Sequence, residues 1–130
     1  RKSVLEGVPQ SLPTMVKAYR IQEKVRGVGF DWSNATEVWE KVKEEIDEFE
    51  HEKDQQDTSR MEEEFGDILF ALINYARFLS INPEDALERT NQKFIKRFAY
   101  LENQLHAQNK SFDAVDLKQM NVIWEESKKK

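Results

Sequence analysis

The 130-residue sequence has no cysteine, only four glycines and only three prolines. The absence of cysteine excludes disulfides and thiolate metal sites and is typical of proteins of the reducing cytoplasm, where we expect this one. Few glycines and prolines indicate few turns, so we expect long helices. No apolar stretch is long enough to span a bilayer and no signal peptide is visible, so we expect no membrane partner.

A basic excess is also absent, because 25 acidic and 20 basic side chains give a net charge of −5. Nucleic-acid binders usually carry an excess of positive charge, so we expect no nucleic-acid partner. The hydrophobic fraction of 38% and the charged fraction of 35% are typical of amphipathic helices around a core. We therefore predict an all-α, bundle-like domain over residues 11–130, preceded by a linker or N-terminal arm of residues 1–10.

Apolar spacing and capping residues predict four main helices and a short fifth one. Ser11 is the expected N-cap of the first helix, Ser59 opens a capping box for the third, and Asn82 caps the fourth. We expect Phe30 and Trp32, in the loop after the first helix, to pack back on the bundle. The predicted helices begin near residues 11, 35, 59, 82 and 116. The apolar seam of the second helix runs through Trp39, Val42, Ile46 and Phe49.

Asp67 lies inside the otherwise apolar run Phe65–Ile73. Burying an unpaired carboxylate costs several kcal/mol, so such a residue normally has a partner or binds a metal. Glu64 lies one turn earlier, and a second pair, Glu45 and Glu48, lies on the preceding helix, with Glu45 nearest the apolar seam. A short polar turn favours antiparallel pairing of the two helices. Four carboxylates would then meet and form a divalent-cation site of the kind that Mg²⁺ completes with water and phosphate oxygens.

Other roles for these side chains stay open. Asp67 could instead form a buried ion pair with Arg60, Arg77 or Arg97. The glutamates could be an ordinary solvated helix face. Lys93 and Arg97, one turn apart, could neutralise phosphate oxygens, although surface charge is their default role. A Walker-type glycine loop, a dinucleotide fingerprint, a Ser-His-Asp set and the Glu-x-x-His pattern of di-iron bundles are all missing.

The third helix has two further features, a glycine between Glu64 and Asp67 and a wide apolar arc. Gly66 costs about 1 kcal/mol relative to alanine inside a helix, which suggests a need for space or a close helix approach. Leu69, Phe70 and Ile73 spread over a wide arc that one intramolecular partner would not cover. We therefore expect a homodimer or a dimer of dimers, with the fourth helix or the Trp124 segment near the neighbouring subunit's site.

Three segments together resemble the MazG family of all-α nucleoside triphosphate pyrophosphohydrolases. They are Lys41–Glu48 (KVKEEIDE), Glu62–Phe70 (EEEFGDILF) and Asn91–Phe98 (NQKFIKRF). Residues 7–13, 28–32 and 122–125 also resemble the C-terminal domain of that family, so the similarity extends over nearly the whole chain. Many members carry two such domains in tandem. This chain begins at Arg1 rather than at methionine and contains one such domain, so it could be a fragment of a longer protein, an alternative that the sequence leaves open.

The resemblance implies an enzyme that uses Mg²⁺, with Mn²⁺ as a substitute, to hydrolyse nucleoside triphosphates such as ATP to the monophosphate and pyrophosphate. It places Glu45, Glu48, Glu64 and Asp67 on the family's metal ligands. It places these residues on nucleotide-contacting positions: Lys41, Glu44, Arg60, Glu63, Asp67, Asn91, Lys93, Arg97 and Trp124. Lys93 and Arg97 would stabilise charge on the polyphosphate, and Glu44 would orient or deprotonate the attacking water.

Two rival interpretations keep the same helices. A non-catalytic module that senses nucleotides or binds a partner protein predicts no turnover. A purely structural bundle with solvated acids predicts no specific metal binding.

Overall fold

The computed structural model describes residues 3–130, and Arg1 and Lys2 of the predicted arm lie outside the described residues. The helices are α1 (Thr14–Arg26), α2 (Ala35–Gln55), α3 (Thr58–Phe78), α4 (Pro83–Ala107) and α5 (Leu117–Ser127), with a 3₁₀ turn at Phe112–Ala114. No strand occurs in residues 3–130, so the predicted all-α class is confirmed. Within the same residues, none of the helices combines the length and the hydropathy that a membrane crossing requires.

Side-chain caps define several of the helix starts. Asn34 accepts a hydrogen bond from the Glu37 amide at 3.0 Å at the start of α2, and Asn82 accepts one from the Glu84 amide at 3.0 Å at the start of α4, as predicted. At α5, Asp116 forms a reciprocal capping box with its N3 residue. Such caps satisfy backbone amides that have no partner inside the helix.

Two predicted caps are wrong. The start of α3 is capped by Asp57, which accepts from the Arg60 amide at 3.2 Å, so Ser59 lies inside the helix. Asp57 competes well because its carboxylate also interacts favourably with the positive end of the helix. Ser11 does not cap α1 either, since the N-cap position is Pro13, which makes no side-chain bond there.

The helices α2 and α3 form an antiparallel hairpin closed by a two-residue connection, in which Gln56 adopts the left-handed conformation (φ 59°). The rings of Trp39 and Tyr75 lie 5.1 Å apart, and those of Phe49 and Phe65 lie 5.6 Å apart. Residue numbers thus rise along α2 as they fall along α3, which confirms the antiparallel pairing. Helix α1 packs on α3 and completes a three-helix bundle.

The buried face of α2 runs through Val38, Val42 and Glu45. The two valines are fully buried and Glu45 is 7% exposed. Since these residues are spaced by four and three, they share one helix face. The apolar seam predicted from the sequence shares Val42 with this buried face. Its other members Trp39 and Ile46 are 40% and 39% exposed, so the seam is centred beside the buried face and not on it. The expectation that Glu45 lies nearest the core is confirmed.

The chain divides into two compact units, Arg1–Glu84 and Asp85–Lys130. The first holds α1, α2 and α3, and the second holds nearly all of α4 together with α5. In the second unit, Phe94 contacts Trp124 with ring centroids 4.9 Å apart, and Leu105 is 2% exposed. Aromatic contacts therefore join the two helices of this unit.

The loop after α1 is held in place by an ion pair rather than by its aromatic rings. Gly29 turns the chain with φ 88°, a conformation that favours glycine. Asp31 then pairs with the buried Arg77 of α3 at 2.7 Å. Phe30 is 78% exposed and Trp32 is 44% exposed, so the prediction that both rings pack back on the bundle is wrong.

Candidate functional site

Three carboxylates from the α2–α3 hairpin converge at one point. Glu45 and Glu48 lie on α2 and Glu64 lies on α3, and one oxygen atom from each lies within 4.8 Å of the others. Oxygen ligands on opposite sides of one Mg²⁺ are about 4 Å apart. Small side-chain rotations would therefore bring all three to coordinating distance, and the donor set fits a hard divalent cation.

The interior of this cluster contains carboxylate oxygens that the protein leaves unpaired. Oε1 of Glu45 lies 2.9 Å from Nζ of Lys41. Oε2 of Glu45 and Oε2 of Glu64 are buried and have no hydrogen-bond partner within the described residues. Buried, unsatisfied acceptors that carry negative charge are costly. A cation bound between them would remove that cost, which supports a fit between the cluster and a metal ion.

The electrostatics of Glu48 show the same crowding of negative charge. The nearby charge of Glu45 is the main cause that raises the pKa of Glu48. Desolvation, a hydrogen bond with Glu45 and the charges of Glu64 and Glu44 raise this pKa further. The neighbouring base responds to the same negative charge. A hydrogen bond to Glu45 and the charge of Glu45 raise the pKa of Lys41, although partial desolvation lowers it. The site thus favours a bound proton or a bound cation.

Asp67 occupies a different position from the one its sequence context predicted. It is exposed rather than buried, because the apolar residues around it in sequence point to other faces of α3. Partial desolvation of the carboxyl group is nevertheless the main cause that raises its pKa, followed by the charges of Glu45 and Glu63, while Lys41 lowers it. Asp67 therefore lies close enough to Glu45 for the negative charge of Glu45 to raise the pKa of Asp67. It is outside the group of three within 4.8 Å that the described residues form.

Two of the arginines suggested as partners of Asp67 are paired elsewhere. Arg77 binds Asp31, and Arg60 is exposed and lies 3.4 Å from Glu52. The ion-pair alternative with these two arginines is therefore wrong. Arg97 belongs to the second unit.

An acidic depression of about 680 Å³ lies over the cluster. Its volume falls within the range of about 300–1,000 Å³ typical of small-molecule sites. Glu44 lies on its wall, with a side chain 57% exposed and 3.5 Å from Nζ of Lys41. Glu63 is exposed on the next helix. The lining residues are Glu40, Glu44, Asp47, Glu48, His51, Glu52 and Glu64.

The remaining predicted residues belong to the second unit. Lys93 is exposed and Arg97 is half-buried, and both line a basic depression between α4 and the end of α5. Asn91 is exposed, and Trp124 is half-buried against Phe94. The other residues that line the basic depression are Lys96, Tyr100, Ser127, Lys128 and Lys130. Lys93 and Arg97 thus lie in the second unit, whereas the four predicted carboxylate ligands lie in the first.

Sequence reasoning missed a polar group beneath the loop after α1. Gln22 is 3% exposed, and its Nε2 donates to the Phe70 carbonyl at 2.9 Å, whereas its Oε1 is buried without a partner in residues 3–130. Arg77 donates to Asn74 Oδ1 from Nε at 3.0 Å and from an Nη at 2.7 Å. In the sequence, Gln22 follows Met15 and Tyr19 at spacings of four and three, so it lies on the same face of α1 as these apolar residues, and this was the available indication.

Comparison with known proteins identifies the family to which the chain belongs. The profile of the MazG nucleotide pyrophosphohydrolase domain matches residues 34–101, slightly more than half of the chain. The chain belongs to the MazG family. The matched MazG region contains all four predicted carboxylate ligands and both Lys93 and Arg97, and it ends before Trp124.

Curated relatives support the assignment. The chain is 41% identical over 129 residues to the nucleoside triphosphate pyrophosphohydrolase of Escherichia coli K12, which covers 98% of this chain and 49% of that protein. It is 37% identical over 117 residues to the Thermotoga maritima nucleoside triphosphate pyrophosphohydrolase/pyrophosphatase MazG, which covers 90% of this chain and 45% of that protein. A 65-residue segment is 48% identical to the uncharacterized protein YabN of Bacillus subtilis. The chain thus spans about half the length of the first two relatives.

Proposed function

We propose that this MazG domain is a Mg²⁺-dependent nucleoside triphosphate pyrophosphohydrolase, with Mn²⁺ as a substitute ion. The observation that carries the proposal is the convergence of Glu45, Glu48 and Glu64 with two buried carboxylate oxygens that lack partners. An acidic cluster repels a polyphosphate unless a cation lies between them. The relatives named above as nucleoside triphosphate pyrophosphohydrolases support this substrate class.

In this proposal, Glu45, Glu48, Glu64 and Asp67 hold the metal. When bound, Mg²⁺ would neutralise phosphate oxygens and lower the pKa of the attacking water. Water adds to one phosphorus of the α–β phosphoanhydride, the bridging P–O bond breaks, and the products are a nucleoside monophosphate and pyrophosphate. Glu44 is our candidate for accepting the proton of the water, because it lies exposed at the wall of the depression.

The positively charged residues take the role of a phosphate clamp. Lys93 and Arg97 neutralise polyphosphate oxygens, and Arg97 offers the fork of donors that suits a phosphate group. Lys41 and Arg60 add positive charge next to the carboxylates. Three further residues complete the proposed nucleotide contacts: Glu63, Asn91 and Trp124.

A product analysis tests the proposal. The protein is incubated with each common NTP and dNTP in the presence of Mg²⁺, and the products are separated by chromatography. We expect nucleoside monophosphate and pyrophosphate. A diphosphate with inorganic phosphate would contradict the bond assignment, and no product at all would favour a nucleotide-sensing or protein-interaction module.

We also propose that two copies of this chain pair through their apolar surfaces. A groove on the α2–α3 hairpin is lined by apolar residues that include Phe65, 50% exposed, and Leu69, 46% exposed. A Cβ added at Gly66, in the same groove, meets no atom within 4 Å, so the predicted close helix approach does not occur inside the described chain. A neighbouring copy is the partner that would use this space, and a symmetric dimer would bury the patch isologously.

A further inference from the structure

An apolar pocket of about 410 Å³ lies beneath the Gly29–Trp32 loop, separate from the acidic depression. Both pockets belong to the first unit. The apolar pocket's walls are built from α1, the loop and α3, and its size is that of a small-molecule site. Its lining residues are Ile21, Gln22, Val25, Gly29, Phe30, Asp31, Trp32, Phe70, Asn74 and Arg77.

The polar groups in this pocket have fixed orientations. Nε2 of Gln22 donates to the Phe70 carbonyl, so Oε1 is the end of the amide left as a free acceptor. Oδ1 of Asn74 accepts two bonds from Arg77, so Nδ2 is the end left as a donor, and it makes no hydrogen bond within residues 3–130. Gln22 and Asn74 both line the pocket, so its wall contains one buried acceptor without a partner and one donor among apolar and aromatic surfaces.

The aromatic residues at the mouth are held out in solvent by polar bonds. Asp31 accepts from Arg77 at 2.7 Å and from the Trp32 amide at 2.9 Å. Although desolvation raises the pKa of Asp31, the hydrogen bonds from Arg77 and Trp32 and the charges of Arg77 and Arg26 outweigh it, so the pKa is lowered. The charged pair thus fixes the loop, while the Phe30 ring stays 78% exposed. A ring exposed to this extent beside a pocket is suited to stack on a flat ligand.

We propose that this pocket binds the base of the nucleotide, an inference that rests on the function proposed above. A nucleobase edge carries an N–H donor beside an acceptor, which matches the Gln22 oxygen and the Asn74 amide nitrogen. Its faces suit stacking on Phe30 and Trp32. Asn74 lies seven residues after Asp67, which is two turns or about 10 Å along the same face of α3. One nucleotide can span from the carboxylates to this pocket.

Nucleosides test the inference without metal and without hydrolysis. The indole N–H of Trp32 is followed by NMR in EDTA, with Trp39 as the internal reference, while uridine, 3-methyluridine or ribose is added. We expect uridine to shift the Trp32 resonance saturably, ribose to leave it unchanged, and 3-methyluridine to bind about tenfold more weakly because it lacks the N3–H donor. No shift by uridine, or an equal shift by ribose, would overturn the assignment.

Two exposed loop positions give matched variants that leave the core untouched. Phe30→Ser removes the stacking ring and should weaken uridine binding at least tenfold. Val28→Ser alters a residue that is 64% exposed in the same loop and does not line the pocket, so it should bind uridine like the wild type. Equal affinities in the two variants would overturn the assignment of Phe30 and with it the base pocket.

The outcomes separate the two proposals. Uridine binding without hydrolysis of any triphosphate keeps the pocket and contradicts the enzymatic function. Hydrolysis of triphosphates without a response of Trp32 to nucleosides keeps the enzymatic function and contradicts the pocket.

Discussion

Replacing Glu64 by glutamine should change thermal stability in opposite directions with and without magnesium. In EDTA, Glu64→Gln removes one negative charge from a cluster whose oxygens lie within 4.8 Å of one another. The new amide can also donate to the unpaired Oε2 of Glu45. With Mg²⁺ present, the same substitution removes a proposed ligand. The variant should therefore be more stable than the wild type without metal and less stable with it.

The size of the effect follows from the geometry. Two unit charges 4.8 Å apart repel by about 0.9 kcal/mol at the dielectric constant of water and by about 3.5 kcal/mol at an effective value of about 20. Because Glu64 is half-buried and Lys41 offsets part of the charge, we expect a gain of about 1–2 kcal/mol, or roughly 3–8 °C in Tm. At a Mg²⁺ concentration of about 100 times Kd, the wild type should gain about 2.7 kcal/mol, most of which the variant should lose.

Differential scanning calorimetry in EDTA and in a Mg²⁺ series measures both effects. Glu62→Gln is the matched control, because Glu62 is exposed on the same helix, outside the cluster. This control should keep the wild-type response to Mg²⁺. A Glu64→Gln protein that is destabilised in EDTA and still gains the full Mg²⁺ shift would refute the reasoning.

Four further outcomes follow from the same residues. Asp67→Asn should abolish Mg²⁺-dependent turnover with little change in Tm, and a folded, active variant would remove this residue from the ligand set. Lys93→Ala and Arg97→Ala should each lower kcat/KM for NTPs by about one to two decades while calorimetric metal binding persists, and unchanged kinetics in both would exclude the clamp. Asp31→Asn should lose about 2 kcal/mol of stability because it leaves the charge of the buried Arg77 without a counter-ion. Since the pKa of Asp31 is lowered in the folded state, this contribution is complete above its unfolded value of 3.8 and is lost as the pH falls through the folded value. Urea unfolding at pH 7 should therefore separate the variant from the wild type, and unfolding well below pH 3.8 should not. Light scattering at low micromolar concentration should show dimers or larger assemblies, and a stable, fully active monomer would contradict the proposed pairing.

The carboxylate cluster could be anticipated because it depends on short-range rules. Spacing of three residues puts Glu45 and Glu48 on one side of α2, and a short connection makes α3 its antiparallel neighbour. The exposure of Asp67 could not be inferred in the same way. Its apolar neighbours in sequence include Phe65 and Leu69, which are themselves 50% and 46% exposed. Apolar neighbours in the sequence therefore do not show that a side chain is buried, because those neighbours can themselves lie on an exposed face of the helix.

The pocket beneath the loop after α1 depends on long-range contacts that the pattern of one sequence does not encode. Its amide groups belong to helices that only tertiary packing brings together, and the loop is fixed by a bond between Asp31 and Arg77, 46 residues apart. The sequence does contain a polar residue on an apolar stripe, at Gln22. That pattern indicates a buried polar group. Which ligand group it can bind depends on whether the oxygen or the nitrogen of its amide is already hydrogen-bonded within the protein, and this follows only from the folded structure.

The two-residue closure of the α2–α3 hairpin has a consequence for the order of folding. All four proposed ligands lie between residues 45 and 67, so the site forms from contacts that are local in the chain, with a small loss of loop entropy. Negative charges therefore come together as soon as the hairpin closes, before the more distant parts of the chain contribute stability. The repulsion acts on the formation of the hairpin itself, and a divalent cation that relieves it would accelerate folding as well as slow unfolding.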